Sequence, residues 1–329
     1  MELEHVIGYT GRYPGTAHYH PTQGNTVVYA MGAVVMIQDV SDPHEQEYLR
    51  GHDAEVCTLA ISADGSLIAS GQCASDEHAG DDAPVIVWSF QKRSNVYVLD
   101  GLHQRVLRLA FSPDARFLAA TGARGTLVVW DMQTGEVTAA RKLDTPASMV
   151  AWGPVLGGGR RPKYTLFAAN GQTMLSCVLE FDLRSMQYAM EWAPCQLPAA
   201  GLVRNYTAGC MDPTQEFLLA GNTSGELCVF GAAARVFRAA IPTSSGGVHA
   251  AACATAAGVV FAGGGDGSVR KLQGVDQEWV IRGEAQLSGV VHSLSLRADA
   301  SELLAGTSTG RLFRLRVADM GVQPLLTAP

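Results

Sequence analysis

Residues 102–131 read LHQRVLRLAFSPDARFLAATGARGTLVVWD, and this stretch decides the fold. Val106 to Phe111 is a strand-like apolar run that ends at a Ser-Pro-Asp turn. Two further apolar runs follow, Arg116 to Thr121 and Thr126 to Trp130, with a glycine-containing turn between them. Short apolar runs separated by turn residues predict an antiparallel meander. One such unit cannot bury both of its faces, so further copies are expected.

The same pattern recurs along the chain of 329 residues. Each candidate unit has a small residue in its second apolar run, and the marks are Ala30, Ala69, Ala120, Ala169, Ala220, Ala262 and Ala305. They lie 39 to 51 residues apart, against about 40–45 residues for one blade of a propeller. Insertions at Cys73–Ala83 and Gly153–Lys163 explain two of the longer intervals. The sequence therefore predicts an all-β fold, a seven-bladed β-propeller of four-stranded antiparallel blades over residues 1–318.

The closing strand of this ring is the least determined element. Leu3 to Thr10 precedes the first unit as the outer strand of a blade would, so residues 3–10 are predicted to complete the last blade. Val322 to Thr327 competes for the same position. With residues 3–10 as the closing strand, residues 319–329 become a tail, or the start of a linker to a second propeller that is absent from this chain.

Composition narrows the class of protein and its partners. Charged residues make up 17% of the chain and the formal net charge is −7. An acidic protein is a poor match for nucleic acid, so none is expected as a partner. Apolar runs are broken well before ~18 residues, and the N-terminus lacks a basic segment, so we expect neither a membrane span nor a secretory signal. The seven cysteines include no Cys-x-x-Cys pair, which favours free thiols in a reducing compartment. We expect a monomer in isolation.

Residues 102–131 resemble a WD repeat, with a histidine, a Ser-Pro-Asp turn and a final Trp-Asp. In that family the repeat's histidine, hydroxyl, tryptophan and turn aspartate form a buried hydrogen-bonded network. The resemblance assigns such a structural network to His52, Ser70, Asp82 and Trp88 in the second unit and to His103, Thr121, Trp130 and Asp131 in the third. A Ser-His-Asp nucleophile is the competing interpretation. The Gly-x-Ser-x-Gly match at Gly306 to Gly310 falls on the turn before Arg311, which is typical of a tight hairpin rather than of a strand-to-helix elbow. We predict no catalytic residue, metal or cofactor.

A basic insertion stands out in this acidic chain. Arg160, Arg161 and Lys163 follow three glycines, and Arg141 with Lys142 lies near the start of the same blade. Arginines on a flexible loop can bind an acidic protein surface through paired hydrogen bonds to carboxylates. These five cations are the candidate partner-binding residues; a solvated loop is the alternative.

The resemblance extends beyond generic WD repeats. Residues 6–38 carry VIGY, then HP, then VVYAMG, and the later segments LAGNTSGELCVF and GVVHSLSLRADASELLAGTSTGRLFRL continue the likeness. Together these blocks resemble the first propeller of the cilia- and flagella-associated WD-repeat protein fifty-two family. A centriole-wall WD-repeat family has a related opening block.

The resemblance implies a non-catalytic scaffold of motile cilia, located in the cytoplasm and cytoskeleton, in the axoneme. Such a microtubule inner protein binds tubulin on the luminal face of doublet microtubules near the inner junction, together with other inner proteins including a helical filamentous one. The alternative is a general WD40 adaptor or centriolar scaffold that recognises a peptide partner. An enzyme would need a cluster of carboxylates or a metal site at the channel mouth, and the sequence shows none.

Overall fold

The computed structural model describes residues 8–42, 44–75, 81–157, 162–197, 204–254, 258–275 and 278–326. The strands form seven four-stranded antiparallel sheets, each a meander of consecutive strands, as predicted for a seven-bladed propeller. The prediction of the fold is therefore confirmed.

The strands follow the chain blade by blade. Blade one contains β1 (Ala17–Tyr19), β2 (Thr26–Met31), β3 (Val34–Asp39) and β4 (Gln46–Arg50). Blade two contains β5 (Val56–Ile61), β6 (Leu67–Gln72), β7 (Val85–Ser89) and β8 (Ser94–Leu99). Blade three contains β9 (Val106–Phe111), β10 (Phe117–Gly122), β11 (Thr126–Asp131) and β12 (Val137–Lys142). Blade four contains β13 (Ala147–Leu156), β14 (Lys163–Asn170), β15 (Thr173–Asp182) and β16 (Gln187–Pro194).

The remaining blades complete the ring. Blade five contains β17 (Tyr206–Met211), β18 (Phe217–Asn222), β19 (Glu226–Gly231) and β20 (Val236–Pro242). Blade six contains β21 (Val248–Cys253), β22 (Val259–Gly264), β23 (Ser268–Val275) and β24 (Glu278–Gln286). Blade seven contains β25 (Val291–Leu296), β26 (Glu302–Thr307), β27 (Arg311–Arg316) and β28 (Val322–Leu326).

The two faces of the ring follow from this meander. Every first strand begins on one face, and the turns between second and third strands lie on that same face, which we call the upper face. Turns between first and second strands, and between third and fourth strands, lie on the lower face. The first strands line the central channel, while fourth strands such as β8 and β12 are largely exposed at the rim.

The lower-face turn of blade three shows why its sequence turns where it does. The Ser112 hydroxyl donates to Asp114 Oδ1 over 2.7 Å, and the same oxygen accepts the Arg116 amide at 3.1 Å. Ala115 between them has a φ of +57°, which the turn imposes on a residue that rarely adopts it. The side-chain bonds of the aspartate offset this strain and fix the hairpin.

Hydrophobic packing between blades holds the ring together. One cluster combines Val28 and Val35 of blade one with Leu59 and Ile68 of blade two, and comparable clusters join other neighbouring blades. Most of the second strands carry a glycine directly after the alanine that marked the repeat, or one residue further on. There the first strand of the next blade comes so close that an added Cβ would lie within 2.6 Å of a valine, as at Gly71, Gly221 and Gly263.

The closing strand differs from the prediction. β28 pairs with β27, with Leu312 opposite Leu326 and Leu315 opposite Val322, so a C-terminal segment is the outer strand of blade seven. The hypothesis that residues 3–10 fill this position, with the propeller ending at residue 318, is therefore corrected; residues 1–7 lie outside the described residues. The physical reason is that β28 continues the meander, and both Met320 and Leu326 are buried against blade seven or its neighbour.

The first and last blades are joined by contacts rather than by a shared sheet. The Tyr9 hydroxyl is buried 2.8 Å from Thr16 Oγ1 and 3.3 Å from Ser293 Oγ. The Tyr9 ring lies over Gly306, where an added Cβ would come 2.5 Å from the phenol oxygen. Tyr9 therefore fills, at the ring closure, the space that a valine of the following blade fills beside Gly71, Gly221 and Gly263.

Candidate functional site

In blade two the structure brings His52, Ser70 and Trp88 into one buried network. The Trp88 indole donates to Ser70 Oγ over 2.7 Å, and Ser70 Oγ lies 2.6 Å from His52 Nε2. His52 Nδ1 lies 2.6 Å from Gln72 Oε1, which can only accept, so this nitrogen carries the proton. Burial lowers the pKa of His52 and keeps its ring neutral. The sequence does not point to Gln72, because a glutamine at the end of a strand has no characteristic pattern.

Asp82 does not join the network of its own blade. Its Oδ1 lies 2.8 Å from His103 Nδ1 in the next blade, so its predicted place beside His52 is corrected. The reason is the backbone, since Ala83 N donates to Leu102 O and residues 82 and 103 form a bridge instead of a tight turn. The insertion thereby ties blade two to blade three.

The third blade uses its predicted residues differently. Thr121 Oγ1 donates to Ala147 O of blade four over 3.1 Å. Trp130 is buried, and Asp131 accepts a hydrogen bond from Arg116 Nη2 at 2.6 Å. Among the described contacts none joins His103 to Thr121 or Trp130, so this blade relies on packing and on bonds to its neighbours.

Three of the five predicted partner-binding cations lie among the described residues, and these three divide between the two faces. Arg141 and Lys142 end β12 on the upper side, where Arg141 stacks 5.2 Å from the centre of the Trp192 ring and Lys142 donates to Arg124 O. Lys163 begins β14 on the lower side and lies 2.7 Å from Glu180. Arg160 and Arg161 lie outside the described residues. Opposite strand ends separate the two groups, so they do not form one patch.

Blade four extends beyond its neighbours on the lower face. β13 and β15 have 10 residues each, whereas the strands of blade three have 6. The additional length forms what we call the blade-four extension, residues 153–157, 162–163 and 180–187. Its large apolar side chains are exposed, namely Val155, Leu156, Leu183 and Met186. The described residues at the lower end of blade four therefore carry an exposed apolar surface.

A second candidate site lies where the channel opens on the upper face. This mouth is a cavity of about 510 Å³ formed by Arg12, Tyr13, Arg105, Arg108 and His292 together with apolar neighbours. The Arg12 and Arg105 guanidinium carbons lie 5.4 and 5.5 Å from the centre of the Tyr13 ring. Tyr13 is buried and donates to Glu55 Oε2 over 3.0 Å. The phenol ring thus supports two cations at the rim.

Arg108 lies deeper in the same mouth. Its Nη1 donates to Leu107 O over 2.8 Å, and its Nη2 reaches Thr207 O of blade five over 2.9 Å. Burial, together with the nearby charge of Arg105, lowers the pKa of Arg108 to about 10. His292 donates through Nδ1 to Gly11 O at 2.8 Å, and burial lowers its pKa. The mouth was missed from sequence because its residues come from five different blades.

In the part of the chain that the structure describes, no group of three or more His, Cys, Asp or Glu side chains is arranged to hold a metal ion. Within the same residues there is also no helix long and apolar enough to cross a membrane.

Seven such blades, with the network of blade two, define the class of protein as a WD-repeat β-propeller. The protein-family model described as "WD domain, G-beta repeat" matches residues 44–79 and 93–131. Solved propellers share the fold: the RRP9 WD40 repeats superpose with a TM-score of 0.68 over 93% of this chain and 88% of that chain, at 16% identity. A chain of the mitotic checkpoint complex gives 0.71 over 95% and 91%, at 14% identity.

The particular relatives are proteins named Cilia- and flagella-associated protein 52. The human protein is 28% identical over 327 residues, which are 97% of this chain and 50% of that protein. The Chlamydomonas reinhardtii protein is 28% identical over 83% of this chain and 43% of its own length. Mouse WD repeat-containing protein 90 is 30% identical over 47% of this chain and 8% of its own. The resemblance drawn from sequence is confirmed. The chain spans about half the length of the relatives named Cilia- and flagella-associated protein 52.

Proposed function

We propose that this chain is the first propeller of a cilium- and flagellum-associated WD-repeat scaffold, acting without catalysis in the axoneme. The observation that carries the proposal is the similarity to Cilia- and flagella-associated protein 52 over 97% of the chain. That similarity covers 50% of the relative, which supports a second propeller beyond this chain. A closed ring with packed blades is a rigid platform, and its loops are free to carry specificity.

In finer detail, the scaffold is a microtubule inner protein. It binds tubulin on the luminal face of doublet microtubules near the inner junction, beside other inner proteins including a helical filamentous one. Repeated placement along the microtubule lattice lets modest contacts combine through avidity. Its location is the cytoskeleton of the cytoplasm, in the cilium or flagellum.

The blade-four extension is the proposed docking surface for this lattice. Exposed Leu183 and Met186 provide apolar contact area. Arg160 and Arg161, which stand three and two residues before β14 in the sequence, are proposed to supply charge for a carboxylate on the partner. Lys163 contributes less, because Glu180 already neutralises it. Arg141 and Lys142 end β12 at the upper face, so they are not part of this docking surface.

Location is tested by expressing the tagged chain in ciliated cells and by cryo-EM of their doublet microtubules. We expect axonemal signal and propeller density on the luminal wall. Cytoplasmic signal with no axonemal fraction contradicts the ciliary assignment, and density outside the doublet contradicts the luminal position.

The docking surface is tested by cosedimentation with isolated doublets opened to expose the lumen. Arg160→Glu combined with Arg161→Glu should weaken binding about tenfold or more, because each charge-assisted hydrogen bond contributes ~1.5–3 kcal/mol. Arg50→Glu changes the same charge on an exposed outer strand and should bind normally. Undiminished binding of the double variant removes this surface from the proposal.

A further inference from the structure

Two cysteines of neighbouring blades meet near the lower face of the ring. Cys210 Sγ on β17 lies 3.0 Å from Cys253 Sγ on β21, and the two residues are 43 positions apart in the sequence. Both are free thiols in this structure. The S–S bond of a disulfide is about 2.0 Å long, so a movement of ~1 Å brings the two sulfurs to bonding distance.

The register of the two sheets points both side chains into the same interface. Cys210 stands opposite Leu219 in blade five, and Cys253 stands opposite Val260 in blade six. Leu219 and Val260 belong to one hydrophobic cluster between these blades, and both cysteines pack against it. Successive residues of a strand face opposite sides, so Met211, next to Cys210, packs against the preceding interface instead. The two thiols are therefore brought together by regular strands and not by a flexible loop.

Exposure distinguishes this pair from three buried cysteines of blades four and five. Burial raises the pKa of Cys177 to about 12 and those of Cys195 and Cys228 to about 11. Buried thiols of this kind stay protonated and chemically inert. Cys210 and Cys253 are only partly buried, so a small oxidant such as hydrogen peroxide has access to them.

The contact between the two thiols also gives them different roles. The hydrogen bond to Cys210 and burial both raise the pKa of Cys253, which therefore keeps its proton. The nucleophile in thiol chemistry is the thiolate. Cys210 is therefore the sulfur that attacks an oxidant first, and Cys253 is placed to attack Cys210 afterwards.

We propose that Cys210 and Cys253 form a reversible disulfide between blades five and six when the protein meets hydrogen peroxide. In the first step the Cys210 sulfur attacks the peroxide, an S–O bond forms as the O–O bond breaks, and the products are a sulfenic acid and water. In the second step the Cys253 sulfur attacks the Cys210 sulfur, the S–S bond forms as the S–O bond breaks, and the Cys253 proton leaves with the hydroxyl as a second water. The peroxide accepts the two electrons that the thiols lose. The inference does not depend on the ciliary location.

The test is mass spectrometry of the full chain after treatment with a few equivalents of hydrogen peroxide and blocking of the remaining thiols with N-ethylmaleimide. Cleavage after Lys, Arg and Glu separates Cys210 from Cys228, because Glu216 and Glu226 lie between them. We expect a linked peptide that joins Cys210 to Cys253 and that dithiothreitol cleaves. The disulfide should raise the melting temperature by about 3–6 °C, because it closes a loop in the unfolded chain.

Two variants and a matched control complete the test. Cys210→Ala and Cys253→Ala should each abolish the linked peptide and the rise in melting temperature. Cys73→Ala should keep both, although Cys73 is itself a partly buried thiol whose pKa is lowered to about 6 by its hydrogen bond to Cys57.

Three results overturn the proposal. The first is the absence of the linked peptide under conditions that oxidise Cys73. The second is a Cys210–Cys253 bond that joins two chains, seen as a dimer in non-reducing electrophoresis. The third is a rise in melting temperature that persists in Cys210→Ala. The ciliary assignment survives each of these outcomes.

Discussion

Gly306→Ala tests how the ring is closed. An added Cβ at Gly306 would lie 2.5 Å from the Tyr9 hydroxyl oxygen and 2.9 Å from its Cζ, and its three nearest neighbours all belong to the Tyr9 side chain. Tyr9 is buried and hydrogen-bonded to Thr16 and Ser293, so it cannot swing away without losing those bonds. The substitution should therefore cost ~1–3 kcal/mol, as overpacking of a filled core does.

A second substitution, Tyr9→Ala, tests whether the cost of Gly306→Ala comes from the clash with the Tyr9 ring. Removing the buried ring should cost ~3–5 kcal/mol, in line with other large aromatic truncations. In the double variant the clash with Tyr9 disappears, because the three atoms nearest to the new Cβ are removed with the ring. The double variant should thus be no less stable than Tyr9→Ala alone, which corresponds to a coupling of ~1–3 kcal/mol.

Equilibrium urea unfolding, followed by tryptophan fluorescence, measures all four proteins of this cycle. Gly274→Ala is the control, since an added Cβ there has its nearest neighbour at 3.8 Å and should change stability by less than ~0.5 kcal/mol. Additive effects of Gly306→Ala and Tyr9→Ala would refute the reasoning, because they would mean that Tyr9 does not occupy this space.

Three further predictions follow from the contacts. Ser70→Ala orphans the buried ring nitrogen of His52 and the indole of Trp88, so the free energy of unfolding should fall by ~1–3 kcal/mol per group; a loss below ~0.5 kcal/mol in urea unfolding would contradict the network. Acidification below pH ~6.5 should lower the melting temperature. Burial lowers the folded-state pKa of four histidines, namely His18, His20, His52 and His292. In this pH range the unfolded chain therefore binds protons that the folded chain does not bind, and the equilibrium shifts toward unfolding. A melting temperature that stays flat from pH 7.5 to about 5.5 would exclude this linkage. Deleting residues 320–329 removes β28 with the buried Met320 and Leu326 and should cost at least ~2 kcal/mol; an unchanged urea midpoint would return the closing role to another segment.

The propeller was predictable because each blade repeats the same local pattern of apolar runs and turn residues. The turn at Ser112 and Asp114 is encoded by neighbouring residues, and glycines such as Gly71, Gly221 and Gly263 mark places where two blades approach too closely for a side chain. The closing strand was predicted incorrectly because both ends of the chain carry short apolar segments with similar patterns. Which of the two segments closes the ring depends on which one continues the meander of blade seven, as Val322–Leu326 does beside β27.

The interaction sites were harder to predict from sequence, because they also depend on which segments meet in the folded chain. The basic insertion is visible because its cations are consecutive, yet the separation of Arg141 from Lys163 onto opposite faces depends on strand direction. Asp82 was assigned to the nearest histidine of its own unit, whereas the paired backbone carries it to His103. Charge and hydrogen-bonding capacity are properties of the residue, but the partner is set by the path of the chain.

From its order of residues alone, this protein specifies a seven-bladed ring and a likeness to WD-repeat relatives that are named as cilia- and flagella-associated proteins. Those properties repeat along the chain or depend on neighbours, so periodicity and local chemistry reveal them. The fold alone decides the closure by Tyr9 and β28 and the meeting of Arg105 and Arg108 at the channel mouth. Closing the ring brings distant segments together, and no local pattern encodes which of their side chains meet.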